Sequence, residues 1–158
     1  MSLAALAEQY PDLKAEQRFQ DSMDMAEITE NGLRFVVDLI TGQKTGFFLD
    51  QRLNREIVGA LSREATVLNC FSYTGAFSVY AVRGGAKRVV SVEASAATNE
   101  IACRNLVRNG LSPENHPVLT ANVFDYIRET EEVFDLIILD PPAFAKSLAG
   151  LADIYVND

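Results

Sequence analysis

A few short stretches of this chain carry residue types that could do chemistry together, and the run Phe134-Asp-Leu-Ile-Ile-Leu-Asp140-Pro141-Pro142-Ala-Phe144 is the most telling. Its four consecutive apolar residues, Leu136 to Leu139, read as a strand buried on both faces, as in a parallel sheet. Asp140 then stands at the carboxyl end of that strand, where open α/β sheets place their ligands. Two prolines follow. They cannot extend a hydrogen-bonded ladder, and they stiffen the loop that presents Asp140 and Phe144. A rigid acid-Pro-Pro-aromatic loop suits a flat group with polar edges, such as a nucleobase. Taken alone, the run fits a tight strand exit with a solvated aspartate equally well.

Three further features fall at the ends of neighbouring strands: the turn Asn69-Cys-Phe71-Ser72-Tyr73-Thr74-Gly75, then Glu93-Ala94, then Asn122-Val123-Phe124. A dinucleotide site would need G-x-G-x-x-G, so that backbone amides can approach a pyrophosphate. This turn holds only Gly75, and its bulky Phe71 and Tyr73 suit a ligand without phosphates. Glu93 lies 18 positions past Gly75, the spacing at which an acid on the next strand meets a ribose diol. Asn122 can recognise an adenine edge, and Val123 or Phe124 can pack on its face. A ribose and an adenine without a pyrophosphate point to S-adenosylmethionine as cofactor. Each feature alone fits an ordinary helix-entry turn or a surface carboxylate better; together they favour the cofactor.

The elements that must position these residues form a β-α rhythm. Strands are expected over Ala65–Asn69, Arg88–Val92, Pro117–Thr120 and Phe134–Leu139, with helices over Ala76–Val82, Ser95–Asn109 and Val123–Glu129. Such alternation means β-α-β units and a mostly parallel, doubly wound sheet. Before it, two strand-like runs between Met25 and Asp38 flank Asn31-Gly32, a hairpin signal. Thr41 to Gly46 reads as a polar loop, and Ala4 to Phe19 as partly helical, broken at Pro11. A helix beginning near Asp50, which could cap it, places Leu53, Ile57, Ala60 and Leu61 on one face. Two regions result: residues 1–48, an N-terminal helix and β-hairpin extension, and residues 49–158, the cofactor-binding core. A buried-type strand at Phe134–Leu139 would lie at or near a bare apolar edge, so the core is expected to be incomplete on its C-terminal side.

Composition sets further bounds. The 158 residues, 48% of them hydrophobic, suffice for one domain with a real core. No apolar run approaches the roughly 20 residues that span a bilayer, and no membrane association is expected. A net charge of −8 argues against a broad nucleic-acid surface, although a narrow basic mouth on an acidic body can still serve a nucleic-acid enzyme. Two scattered cysteines suit free thiols in a reducing cytoplasm. Neither has a CxxC or histidine neighbour, so no metal site is expected.

Three blocks carry a closer likeness. Gln43-Lys44-Thr45-Gly46-Phe-Phe48-Leu-Asp50-Gln51-Arg52 with Asn54-Arg55, then Asn69 to Phe77, then Leu139 to Lys146, closely resemble the class I methyltransferase family of bacterial large-subunit ribosomal RNA cytosine-C5 methyltransferases. The resemblance runs from about Ile28 to Ser147 and implies a Rossmann-like fold, S-adenosylmethionine as cofactor and ribosomal RNA as substrate. It implies that Lys44 to Arg52 line the methionine end of the cofactor and that Phe71, Ser72, Tyr73 and Gly75 form the turn beneath it. Glu93 would hold the ribose hydroxyls, and Asp140 would face the sulfonium and the target base. The family usually shows an acid where this chain has Asn122. Its candidate nucleophile, a cysteine needed because cytosine C5 must be activated by addition at C6, lies in a Ser-Cys-Ser-like stretch beyond the Asp-Pro-Pro strand, and no such stretch occurs here.

The remaining reactive residues read more plainly. Cys70 is expected to pack rather than react, Cys103 to be core, and His116 to be structural or exposed. Arg52 and Arg55 fit solvated charges or attractors of a carboxylate or phosphate equally. Phe144 could stack on a flipped base, and Lys146 reads as solvated. Two rivals stand beside cytosine chemistry: a base-amino (N6-adenine-type) methyltransferase using the same Asp-Pro-Pro loop, and a noncatalytic cofactor-binding or partner module. A homodimer is compatible with the sequence.

Overall fold

The architecture is that of a computed structural model, which describes residues 25–40, 42 and 46–141. The expected helix over Ala4–Phe19 lies outside the described residues.

The first element is the hairpin. Strands β1 (Met25–Glu30) and β2 (Leu33–Asp38) pair antiparallel with Glu30 opposite Leu33. Asn31 and Gly32 between them take φ of 50° and 77°, the left-handed pair that a two-residue type I′ turn demands. A single 3-10 turn, Leu49–Gln51, leads into helix α1 (Arg52–Leu61). The helix is capped at Gln51 without a side-chain bond, so Asp50 is not its cap.

The alternating unit follows as β3 (Thr66–Cys70), α2 (Ala76–Arg83), β4 (Arg88–Glu93), α3 (Ala96–Arg108), β5 (Val118–Thr120), α4 (Val123–Glu129) and β6 (Leu136–Leu139). Every element of this unit was expected, with ends shifted by one or two residues. The strands form one parallel sheet in the order β5-β4-β3-β6. Strand order therefore runs outward from β3 through β4 to β5, then reverses to β6 on the other side of β3. With right-handed crossovers, that reversal puts α2 and α3 on one face and α4 on the other.

The core follows the layers. Val67, Val89 and Ile138 meet Ala81 of α2, with Val58 of α1 and Phe77 packed against them. On the opposite face Leu68, Cys70, Val90 and Val92 meet Val123 of α4. The hairpin forms an outer layer, its Leu33, Phe35 and Val37 packing on Val79 and Tyr80 of α2 and Leu106 of α3.

Helix α1 presents an unexpected face. Leu53, Ile57 and Leu61 are 69%, 57% and 63% exposed, whereas Arg55 and Gly59 are buried. Arg55, with an exposure of 1%, pairs with Glu30 through Nε to Oε1 and Nη2 to Oε2, each at 2.8 Å. It is neither a solvated charge nor a ligand attractor. Arg52, by contrast, stays exposed as a solvated charge, and donates to the Asn31 side-chain oxygen at 2.7 Å. One further expectation shifts: Cys103 is only partly buried and not core.

Candidate functional site

The parallel register brings four strand ends to one level. Cys70 pairs with Val92 on one side and Leu139 on the other, and Glu93 pairs with Thr120. The residues that come next, Phe71, Ala94, Ala121 and Asp140, therefore share one rim of the sheet. The reversal of strand order between β4 and β6 lies at this rim, which is where open α/β sheets bind ligands.

The turn from Phe71 to Gly75 is the most distorted backbone of the rim. Phe71, Tyr73 and Gly75 take φ of 54°, 48° and 77°. Left-handed aromatic residues cost on the order of 1–3 kcal/mol each and persist where the surroundings over-determine them. Here the Gly75 amide donates to the Ser72 carbonyl at 2.9 Å, and the Tyr73 amide donates to Glu93 Oε2 at 3.2 Å. The Phe71 ring meets Phe124 edge-on at 5.8 Å, and Tyr73 meets Phe48 edge-on at 5.4 Å. A Cβ on Gly75 would come within 3.0 Å of the Ala102 methyl, so the turn lies directly on α3 and admits no side chain there.

Glu93 stands at the mouth of this turn. Its second oxygen accepts the Ser95 amide at 3.1 Å. Each carboxylate oxygen has two acceptor sites, so both retain capacity for a further donor. Ser72, 5% exposed, has a buried hydroxyl without a hydrogen-bond partner. A buried unpaired hydroxyl is costly and marks a place where a ligand or ordered water belongs. Aromatic walls, an unpaired hydroxyl, a carboxylate with spare acceptor sites and the absence of a multi-glycine cradle fit an adenosine that carries no phosphates.

Other expected site residues are placed differently. Asn69, 1% exposed, donates to Ser78 Oγ at 2.8 Å, and Ser78 in turn bonds Ser91. Its side chain serves the α2 interface and not the rim, because strand alternation sends it to the face opposite Cys70. Val123 is core, leaving Phe124 as the accessible ring. Asn122 caps α4, its Oδ1 accepting the amides of Phe124 at 2.9 Å and Asp125 at 3.3 Å. The oxygen is thereby committed, and the amide nitrogen is what remains to meet a base. Gln51 accepts from Asn54 at 2.7 Å. The Thr74 side chain is buried, and Ala94 is exposed at the rim. Gly46 packs against the backbone of Asp38. Asp140 and Pro141 lie at the rim; Lys44, Thr45, Pro142, Phe144 and Lys146 lie outside the described residues.

The cysteines and the histidine are structural. Cys70 is fully buried, and burial pushes its thiol up to about 12, far from the thiolate a nucleophile requires. His116 is buried with Nδ1 accepting the Val89 amide at 3.3 Å. Burial, and secondarily the Arg88 charge, hold its pKa below the ordinary 6.5. The folded chain thus binds this proton more weakly than the unfolded chain does. Its contribution to stability is whole above pH 6.5, is lost as pH falls through the folded-state value, and levels off below it. His116→Gln, which keeps an acceptor for the Val89 amide, is expected to flatten urea-unfolding stability across that window. An unchanged pH dependence would show that another group sets it.

Sequence reasoning overlooked Asn105. This fully buried helix residue donates to the Thr74 carbonyl at 2.9 Å and so holds the rim turn from behind. Its signal was a pair of asparagines, Asn105 and Asn109, one helical turn apart beside Leu106.

A parallel sheet with its order reversal at a rim, an acid at the second strand's end and a phosphate-free aromatic turn define a Rossmann-like nucleoside-binding domain. The sequence matches the S-adenosylmethionine-dependent methyltransferase family over residues 3–157, and the chain belongs to that family. It is 48% identical over 127 residues to the Ribosomal RNA large subunit methyltransferase I of Aeromonas salmonicida, covering 78% of this chain and 32% of that protein. The chain thus spans about a third of the length of the curated relatives it matches. A SAM-dependent methyltransferase from Streptococcus mutans, described only by that class, superposes with a TM-score of 0.71 at 39% identity, over 77% of this chain and 34% of that one. A second structure at 39% identity, SMU.776 in complex with SAH, gives 0.70 over 76% of this chain and 33% of that one. No helix among the described residues is long and apolar enough to cross a membrane.

Proposed function

We propose that this chain binds S-adenosylmethionine across the tips of β3, β4 and β5 and belongs to an enzyme that methylates a cytosine at C5 in large-subunit ribosomal RNA. The observation that carries the binding reading is the Glu93 carboxylate lying against the Tyr73 amide with acceptor capacity to spare. The RNA substrate rests on the relatives' name and on the resemblance of the three sequence blocks.

In this reading Glu93 clasps the ribose hydroxyls, and Phe124, braced edge-on by Phe71, packs on the adenine. The Asn122 amide nitrogen donates to a ring nitrogen of the base, its oxygen being held by the α4 amides. When bound, the cofactor supplies an electrophilic methyl group on a sulfonium. Asp140 and Pro141 hold the target base at the rim, in line with that group, where positioning provides much of the rate enhancement. Lys44 and Thr45 keep the role that the resemblance implies, at the methionine end of the cofactor; Pro142 stiffens the loop, and Phe144 stacks on the flipped base.

Cytosine C5 chemistry also needs a thiol that adds at C6. Cys70 is sealed in the core, and Cys103 sits within α3 away from the strand ends, so neither can serve. Among the described residues no thiol stands at the rim, and one second reading needs none: transfer to an exocyclic amine held by the Asp140-Pro141 loop. Nucleoside analysis of large-subunit ribosomal RNA after incubation with S-adenosylmethionine and the full-length enzyme to which the chain belongs decides between them. C5-methylcytosine supports the first reading, and N6-methyladenine replaces it with the second. Asp140→Ala is expected to lower transfer by about 100-fold while changing cofactor affinity far less. Equal losses in the two would count against its place at the target.

A further inference from the structure

Among the described residues, the β2 edge of the hairpin is closed by side chains of a helix. In a two-residue hairpin with Glu30 opposite Leu33, the amides and carbonyls of Arg34 and Val36 point away from β1. Asn105 of α3 and Asn109 at its C-cap take them. Asn105 Oδ1 accepts the Val36 amide at 2.7 Å, and its Nδ2 lies 3.5 Å from the Val36 carbonyl. One helical turn on, Asn109 accepts the Arg34 amide at 2.9 Å and donates to the Arg34 carbonyl at 2.7 Å. The two residues thus do the same work for β2. Asn109 Nδ2 also donates to the Asn105 backbone carbonyl at 2.8 Å, a bond within the helix end. Asn105 alone of the two reaches the cofactor turn: its Nδ2 donates to the carbonyl of Thr74, between left-handed Tyr73 and Gly75.

We infer that Asn105 is a positioning residue for the cofactor turn, transmitting the seating of the N-terminal hairpin to the backbone that presents Tyr73 and its contact with Glu93. This rests on the assignment of the turn to S-adenosylmethionine. The Thr74 carbonyl is 3% exposed by residue and belongs to a turn whose φ values are unfavourable for its aromatic residues. A fixed donor from behind is what keeps such a turn from relaxing. Asn109 provides an internal control, since it docks the same strand without touching the turn.

The test compares Asn105→Ala with Asn109→Ala by titration with S-adenosylhomocysteine, at a temperature where thermal melts show both folded. Loss of one buried hydrogen bond to the turn predicts affinity about fivefold weaker in Asn105→Ala than in Asn109→Ala. Amide exchange across Phe71 to Ala76 should be faster in the same variant, with or without ligand. If Asn105→Ala does not fold, Asn105→Ser, which leaves a smaller void, takes its place in both measurements. Equal affinity and equal exchange in the two variants would overturn the inference while leaving the cofactor reading intact, provided Glu93→Ala still abolishes tight binding. Failure of the unmodified chain to bind S-adenosylhomocysteine would overturn both.

Discussion

Glu93→Ala is expected to weaken binding of S-adenosylhomocysteine by about 100-fold, the loss of two hydrogen bonds to a charged acceptor at roughly 1.5 kcal/mol or more each. The carboxylate already receives the amides of Tyr73 and Ser95, at 3.2 and 3.1 Å. These fix its position before any ligand arrives, so little ordering cost remains when a diol approaches. Glu93→Gln should fall between: one oxygen is retained, but the amide's nitrogen now faces a donor. Isothermal titration with S-adenosylhomocysteine reads the effect, and a thermal melt without ligand separates it from the loss of the two backbone contacts. Unchanged affinity in Glu93→Ala would remove the ribose from this strand end and with it the placement of the cofactor.

The parts legible in the sequence were those governed by local rules. Asn31-Gly32 announced its hairpin because few other pairs accept two left-handed residues in succession. The apolar runs of β3, β4 and β6 announced a parallel sheet because strands buried on both faces lose their alternation. Once the sheet was parallel, the residues after each strand had to share a rim, and Glu93 and Asp140 followed. The side chains whose placement differed did so through geometry that spacing does not encode. Asn69 adjoins the turn in sequence, yet strand alternation sends it to the other face, into contact with Ser78. Asn122 is at the rim but spends its oxygen on a helix cap, a competing use that asparagine shares with aspartate.

Helix α1 shows the same limit for packing. Periodicity revealed an apolar face of Leu53, Ile57 and Leu61 but could not say which way it pointed. The helix turns that face outward because its other side carries two things the core uses: Arg55, the partner of a buried glutamate, and Gly59, whose missing side chain lets α2 approach the helix backbone. Arg55 and Glu30 are 25 residues apart on a helix and a strand, so no local pattern connects them.

That pair yields the largest expected effect on stability. Arg55→Ala should destabilise the chain by roughly 3–5 kcal/mol, the cost of leaving one member of a buried ion pair unmatched. The side chains of the pair are 2% and 6% exposed, so water cannot take over the orphaned Glu30 carboxylate. The guanidinium also donates to the Phe48 carbonyl at 2.9 Å and lies 4.6 Å from the Phe47 ring centroid, anchoring the segment that carries Phe48 to Tyr73. Tyr80 completes the cluster by donating to Glu30 at 2.9 Å; burial, reinforced by that glutamate, pushes its hydroxyl up to about 12, so it stays a donor at any working pH. Two effects are therefore combined in Arg55→Ala, a stranded charge and a lost clamp, and a second variant separates them. Arg55→Met with Glu30→Gln removes the charge problem and leaves a neutral acceptor for Tyr80, so it should recover much of the stability in urea unfolding. It cannot restore the bond to the Phe48 carbonyl. If the double variant is as unstable as Arg55→Ala, the stability lies in that clamp and in the packing around it, and the buried charge is incidental.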